Sequence, residues 1–328
     1  MIAGQWVADA DSLGTQSKGG QWKRTSSVVR SWIGKDAEFP AEAGRYHLYA
    51  AWNCPWAHRV LLVRALLGLE QALPVSIVAP RRTEDGWVFD PASGYVDHLS
   101  GFGALHQVYA DGACDYTGRV TVPLLIDSQS KRLVSNESAD LVRMLPQAFG
   151  ELARHSIDLY PAELREEIDL WNDRIHRGLN NGVYRAGFAE TQEAYEAAVE
   201  DVFSTLDVLE EQLSGREFIL GNVLTEVDIR LFPTLARFDV AYHTAFKCTR
   251  RRLIDYPGLW RYARRFYALR GVKETVKFDI YRQGYFSPSR CNPRPKKCQA
   301  QLRQFPADCV LEKGRNTLAG RCRTSRSL

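Results

Sequence analysis

The feature that most constrains this chain is a cysteine set between a strand pattern and a helix pattern, with a second strand pattern close behind. Arg45-Tyr46-His47-Leu48-Tyr49-Ala50-Ala51-Trp52 is an alternating, aromatic run and reads as a strand. Asn53, Cys54 and Pro55 make a short turn. Trp56 to Leu67 then carries apolar residues at helical spacing and is stopped by Gly68. Pro74-Val75-Ser76-Ile77-Val78-Ala79 is a second strand. Strand, helix, strand is the βαβ unit of a sheet with helices packed on it, so this part of the chain belongs to an α/β domain.

The chemistry expected of Cys54 follows from its place. At a helix N-terminus, unsatisfied N–H groups and the positive end of the dipole favour thiolate over thiol. Pro55 suits the first helical position, where no N–H is needed. Four residues from Cys54, counting it as the first, a two-cysteine redox motif has its resolving thiol; here that place holds Ala57. No disulfide can close across the turn. A mixed disulfide on Cys54 needs an external thiol to resolve it, and glutathione is the abundant cytosolic candidate. His58 and Arg59 invite a Cys–His dyad, but a residue four along a helix projects away from the turn, so surface or packing roles are expected for both.

The domain plan reads as an extension over residues 1–44 and an α/β domain over 45–152 with an insertion around 80–115. An all-helical domain over 153–286 and a tail over 287–328 follow. Val120-Thr121-Val122-Pro123-Leu124-Leu125-Ile126-Asp127 reads as a strand and pairs as a hairpin with Arg132-Leu133-Val134. Proline is normally excluded from strand interiors, and a cis Val122–Pro123 bond at a strand edge reconciles the two. Ser135-Asn136-Glu137-Ser138 leads into a helix over Ala139 to Leu145. Beyond residue 155 the patterns are helical: Pro161 opens one helix with Leu164, Ile168, Trp171 and Ile175 on its apolar face. A second places Tyr195, Ala198, Val202, Leu206, Leu209 and Leu213 at intervals of three and four. Thr225-Glu226-Val227-Asp228 has the form of a capping box opening a buried helix.

Composition excludes several classes. No stretch nears the roughly 18 consecutive apolar residues of a membrane span, and the N-terminus lacks the basic-then-apolar pattern of a secretory signal. A cytoplasmic protein is expected. The net charge of +4 is concentrated at one end: residues 287–328 hold ten Lys/Arg against two Asp/Glu, which leaves the other 286 residues at −4. The mildly acidic body gives no support to nucleic-acid binding. Four of the seven cysteines also lie in that tail (Cys291, Cys298, Cys309 and Cys322), at spacings that fit no zinc pattern. The tail reads as weakly ordered, and no metal is expected.

The strand–Cys-Pro–helix, the Thr-Val-Pro segment and the Asn-Glu-Ser helix start resemble the thioredoxin-like half of a glutathione transferase. The helical part with its Thr225/Asp228 box is similar to the transferase C-terminal domain. Longer motifs narrow the resemblance: Asn53-Cys54-Pro55-Trp56-Ala57-His58-Arg59, Glu84-Asp85-Gly86-Trp87, Gly118-Arg119-Val120-Thr121-Val122-Pro123, Asn136-Glu137-Ser138, Asn180-Asn181-Gly182-Val183-Tyr184 and Phe246-Lys247-Cys248. In this order they resemble glutathionyl-hydroquinone reductases, the xi class, from about Trp22 to Asn292-Pro293. The segment Ile280-Tyr281-Arg282-Gln283-Gly284 departs from the family in lacking His, and the chain from Arg294 on does not match it.

The resemblance implies a fold, a reaction and a site. The fold is a thioredoxin-like α/β domain followed by an all-α transferase-type domain. Cys54 removes glutathione from a glutathionyl-hydroquinone, and a second glutathione, as co-substrate, resolves the mixed disulfide. Trp87, Arg119, Val120, Thr121, Val122, Glu137 and Ser138 bind glutathione, with Val122 offering its backbone and Glu137 and Ser138 holding the γ-glutamyl group. Tyr184 donates the proton to the leaving ring, Tyr242 hydrogen-bonds the Cys54 thiolate, and Tyr285 lines the substrate pocket. A homodimer is implied as well. An omega-like thioltransferase or dehydroascorbate reductase, and a non-catalytic interaction module of the same fold, stay open as alternatives.

Overall fold

The computed structural model describes residues 1–8, 17, 19–34 and 37–287; the expectations for the 287–328 tail lie, beyond Ser287, outside the described residues. A four-stranded sheet, ordered β2-β1-β3-β4, forms the core of the N-terminal half. Its strands are β1 (Tyr46–Ala50), β2 (Val75–Ile77), β3 (Leu124–Asp127) and β4 (Leu133–Ser135). β1 pairs in parallel with β2 and antiparallel with β3, and β3 pairs antiparallel with β4. Every residue of β1 is buried, as a central strand covered on both faces requires.

The first helix, α1 (Pro55–Leu67), starts with proline and ends where Gly68 turns left-handed at φ +65°. Glycine takes that conformation without a Cβ penalty. α1 has almost no amphipathic contrast; buried residues occur all round it, His58 and Arg59 among them. It is wedged between the sheet and helices from both halves, which is why a surface role for His58 and Arg59 does not hold. Their packing role does.

Two readings change on the sheet. β3 begins only at Leu124, because Val122–Pro123 is a cis peptide and proline has no N–H for a ladder. Val120, Thr121 and Val122 therefore form the loop that leads into the strand. The expected insertion around 80–115 contains a helix, α2 (Leu105–Gly112). The loop that reaches it is organised by the buried Asp97, whose carboxylate accepts from the N–H groups of Leu99 and Phe102 at 3.0 and 3.1 Å and from Tyr49 Oη at 2.9 Å. Leu105 N–H then donates to Trp87 O at 2.8 Å, holding Trp87 in place. α3 (Ser138–Phe149) closes this half, with Glu137 as its N-cap.

The second half is helical. It comprises α4 (Arg165–Ile175), α5 (Gly182–Gly187), α6 (Gln192–Gln212), α7 (Glu226–Arg237), α8 (His243–Ala245), α9 (Pro257–Tyr267), α10 (Val272–Thr275) and α11 (Phe278–Tyr285). α7 runs through the middle, nearly all buried. The Asp228 carboxylate accepts from the Thr225 N–H at 3.0 Å, from Ile219 N–H at 3.1 Å and from Tyr262 Oη at 3.0 Å. Five-residue π turns at His176–Asn180 and Phe238–Tyr242 precede α5 and α8. Such turns are frequent at functional sites, and these two carry Asn180 and Tyr242. No described helix is long and apolar enough to cross a membrane.

Candidate active site

Between the two halves lies a cavity of about 1040 Å³. Cys54 stands in its wall as the N-cap of α1, partly exposed. The Ala57 N–H donates to its Sγ at 3.5 Å, and the thiol donates to the Val122 carbonyl at 3.3 Å. That carbonyl is the one preceding cis-Pro123. The thiol differs from expectation in one respect. Burial pushes its pKa up, and the Ala57 and Trp56 N–H groups and the Arg237 and Arg24 guanidinium charges offset only part of that. Desolvation outweighs the helix terminus.

Arg237 holds the cysteine turn. Its guanidinium donates to Asn53 O at 3.2 Å and to Trp52 O at 2.8 Å, so two carbonyls beside Cys54 are pinned from α7. It also meets His58 Nδ1 at 2.9 Å, while His58 Nε2 lies 2.8 Å from Thr275 Oγ1. Arginine can only donate, so His58 accepts at Nδ1 and carries its proton on Nε2. Burial and the Arg237 charge hold its pKa well below the usual histidine value. A neutral, fully engaged His58 is no base for Cys54.

Trp87, Arg119, Thr121, Val122, Glu137 and Ser138 all border the cavity. Glu137 accepts from the Ala139 N–H at 2.9 Å through one carboxylate oxygen. Ser138 Oγ receives the Arg59 guanidinium at 3.4 Å, and Arg59 also donates to Asn180 Oδ1 at 2.6 Å. Arg59 thus ties α1, the start of α3 and the helical half together at the edge of the site. Val120 is not brought to the cavity; it is buried in the core.

Two of the three expected tyrosines face the cavity. Tyr184 Oη lies 2.8 Å from Tyr285 Oη, and Tyr242 Oη lies 3.1 Å from the same hydroxyl. Tyr285 is therefore the hub of a hydroxyl cluster. Tyr242 is fully buried, stacked on Phe246 at 5.3 Å, and its hydroxyl meets Tyr285 rather than Cys54. The expected Tyr242–Cys54 hydrogen bond is absent, because the Cys54 sulfur is turned to Val122. Burial drives all three phenols upward, Tyr242 and Tyr285 well above the ordinary value, so each keeps its proton.

Sequence reasoning gave the N-terminal extension no part in the site. Val29 and Ser31 pair with the chain at Asn136 and Val134, at 3.0 and 2.8 Å. That anchors the stretch of residues before them along the cavity, where Trp22 and Arg24 join its wall. The Arg24 guanidinium carbon lies 4.7 Å from the Trp22 ring, 4.5 Å from Trp56 and 4.8 Å from Tyr184. The available signal was a Trp-x-Arg in a segment otherwise poor in pattern, at the point where the motif resemblance begins.

A thioredoxin-like sheet, a cysteine at the first helix, a cis-proline loop opposite it and an all-helical second half define a cysteine-type glutathione transferase. Residues 53–148 match the family described as "Glutathione S-transferase, N-terminal domain", and residues 192–265 match "Glutathione S-transferase, C-terminal domain". The chain is 50% identical over 273 residues to glutathionyl-hydroquinone reductase PcpF of Sphingobium chlorophenolicum, covering 83% of this chain and 87% of that one. It is 44% identical over 292 residues to glutathionyl-hydroquinone reductase YqjG of Escherichia coli, covering 85% and 88%. Among solved structures, the xi transferase of Phanerochaete chrysosporium superposes with a TM-score of 0.80 at 43% identity, covering 83% of this chain and 89% of that one. The glutathione-bound structure of Escherichia coli YqjG also gives 0.80, at 42% identity, covering 89% and 92%. The chain belongs to the glutathionyl-hydroquinone reductases, the xi class of glutathione transferases.

Proposed function

We propose that this enzyme removes glutathione from glutathionylated hydroquinones by a two-step thiol exchange on Cys54. The Cys54 thiolate attacks the glutathione sulfur and the sulfur–ring bond breaks. The electron pair goes to the ring, which takes a proton and leaves as hydroquinone. Cys54 is left as a mixed disulfide with glutathione; a second glutathione attacks it, giving oxidised glutathione and free Cys54. The observation that carries this reading is the pairing of one reactive thiol, with Ala57 where a resolving thiol would sit, and two protonated phenols, Tyr184 and Tyr285, in one cavity. Thiol exchange alone has no need of the phenols.

Glutathione lies against the cis-proline loop, with its cysteine residue added like a short strand to the Val122 backbone. Ser138 and the α3 N-terminus take the γ-glutamyl carboxylate, Glu137 takes the ammonium, and Trp87, Arg119 and Thr121 complete that side. Tyr184 donates the proton to the ring, and Tyr285, bonded to both Tyr184 and Tyr242, orients it.

Intact mass after glutathionyl-menadiol treatment tests the first step. One glutathione is expected on the native chain and none on Cys54→Ser. A Cys54→Ser protein with full deglutathionylation activity overturns the mechanism.

A further inference from the structure

Arg24 is a cation in the cavity wall whose surroundings are mostly aromatic. Three rings, Trp22, Trp56 and Tyr184, lie within 4.8 Å of its guanidinium carbon. Its Nε is held by Asn181 Oδ1 at 2.9 Å. One terminal nitrogen, Nη2, is buried with no hydrogen-bond partner among the described residues. A buried donor left without an acceptor is destabilising, because it has given up water and gained nothing in return. Burial lowers the Arg24 pKa, and the ionisable groups that bear on it next, Tyr184, Arg119, Cys54 and Tyr285, include no carboxylate. The cavity wall therefore holds a guanidinium with one buried, unpaired donor on the same cavity as the reacting thiol.

The reaction proposed above creates an acceptor for that donor. Tyr184 protonates the sulfur-bearing ring carbon while the adjacent ring hydroxyl gives up its proton, making a keto tautomer; when the sulfur–carbon bond then breaks, the electron pair rearomatises the ring and negative charge builds on that ring oxygen until a proton returns. We infer that Arg24 Nη2 donates to this ring oxygen, making the N-terminal extension the element that selects hydroquinone-type substrates over simple glutathione disulfides. No electrons beyond those of the thiol exchange are involved: Cys54 sulfur is oxidised to the disulfide, and the ring gains the electron pair and one proton. Trp22, Trp56 and Tyr184 position the guanidinium and offer flat faces to the ring. The inference rests on the proposed function and goes beyond it, since a thioltransferase acting on alkyl disulfides forms no such oxyanion.

Steady-state kinetics on two substrates, glutathionyl-menadiol and the mixed disulfide of glutathione with 2-mercaptoethanol, tests it with the full chain. Removing one oxyanion donor typically costs about 10²–10³ in kcat. Arg24→Gln is therefore expected to lower kcat on glutathionyl-menadiol about 100-fold with little change in KM. The ratio of kcat/KM for menadiol over disulfide should fall at least about 30-fold on the same basis, and Arg24→Lys should recover part of it. If both substrates slow equally, Arg24 acts through Cys54 or the scaffold and the inference is overturned; it is overturned equally if neither substrate slows. A wild-type enzyme that reduces the disulfide but is inert to glutathionyl-menadiol defeats the proposed function, and this inference with it. An active wild type whose Arg24 variants keep the native ratio defeats the inference alone.

Discussion

At the scale of single residues, the site turns on how burial competes with polar neighbours. Cys54 has an N-terminal helix position and two nearby guanidinium groups, yet its pKa is raised because it is desolvated. The free enzyme is therefore expected to react with iodoacetamide along a pH profile whose midpoint lies above the ordinary thiol value of about 8.5. A midpoint at or below that value would show that the helix terminus and the arginines dominate. The tyrosine cluster gives a second residue-scale expectation. Tyr184→Phe should slow release of hydroquinone by roughly 10²-fold, the range of a lost general acid, while disulfide exchange on Cys54 changes far less. Tyr242→Phe removes one hydrogen bond to Tyr285 and should cost less than Tyr184→Phe; single-turnover release of the aromatic product ranks the two.

At the scale of elements, two helices of the second half, α7 and α11, pack against the cysteine turn. α11 comes so close that a Cβ on Gly284 would fall 2.2 Å from Asn53 Nδ2. Gly284→Ala must push α11 off the turn and carry Tyr285 with it. It should lower kcat far more than it lowers thermal stability, and an enzyme of native rate would refute that coupling. The start of α7 is held differently. Asp228 bonds two backbone N–H groups and Tyr262 in a fully buried setting. Asp228→Ala strands these three donors and the Thr225 hydroxyl, which also donates to the carboxylate, and is expected to cost about 3 kcal/mol or more, read from the urea midpoint at constant m-value.

At the scale of the whole molecule, buried titratable groups set the acid limit of the fold. Burial pushes His47 down to about 4 and His58 well below its ordinary value. It lifts Asp228 to about 6 and raises Asp239 as well. The two histidines have lower pKa values folded than unfolded, so unfolding takes up their protons and their contribution to stability falls as pH drops through about 6.5 toward 4. The two aspartates are raised in the fold, so they work in the opposite sense over much of the same window. The histidines lead near pH 6.5, where the aspartates are still mostly ionised in both states, so stability should fall first as pH drops through that region and level off toward pH 5, where the two aspartates offset the two histidines. Urea midpoints measured from pH 7 to pH 4.5 read this slope; a flat profile would mean that the histidines are hydrated in the fold.

The chain's local patterns determined a good deal without any tertiary information. The period-two run at β1, the apolar helix after Pro55, the Gly68 stop, the Thr225/Asp228 box and the cis bond before Pro123 depend on neighbours only a few residues away. Cys54 was legible for the same reason: its turn is made by its own segment. What only the tertiary structure decided are the relations between distant segments. Trp22 and Arg24 sit in a stretch with no periodicity and matter only because residues 29–31 pair beside Asn136. Arg59 and Arg237 read as ordinary helix arginines, yet they fasten α1 to α3 and α7. Tyr242 looked like a partner for Cys54, but its hydroxyl lies against Tyr285. The direction of the Cys54 pKa belongs to the same group, because desolvation is set by everything that packs around an atom and sequence spacing records only what lies next to it in the chain.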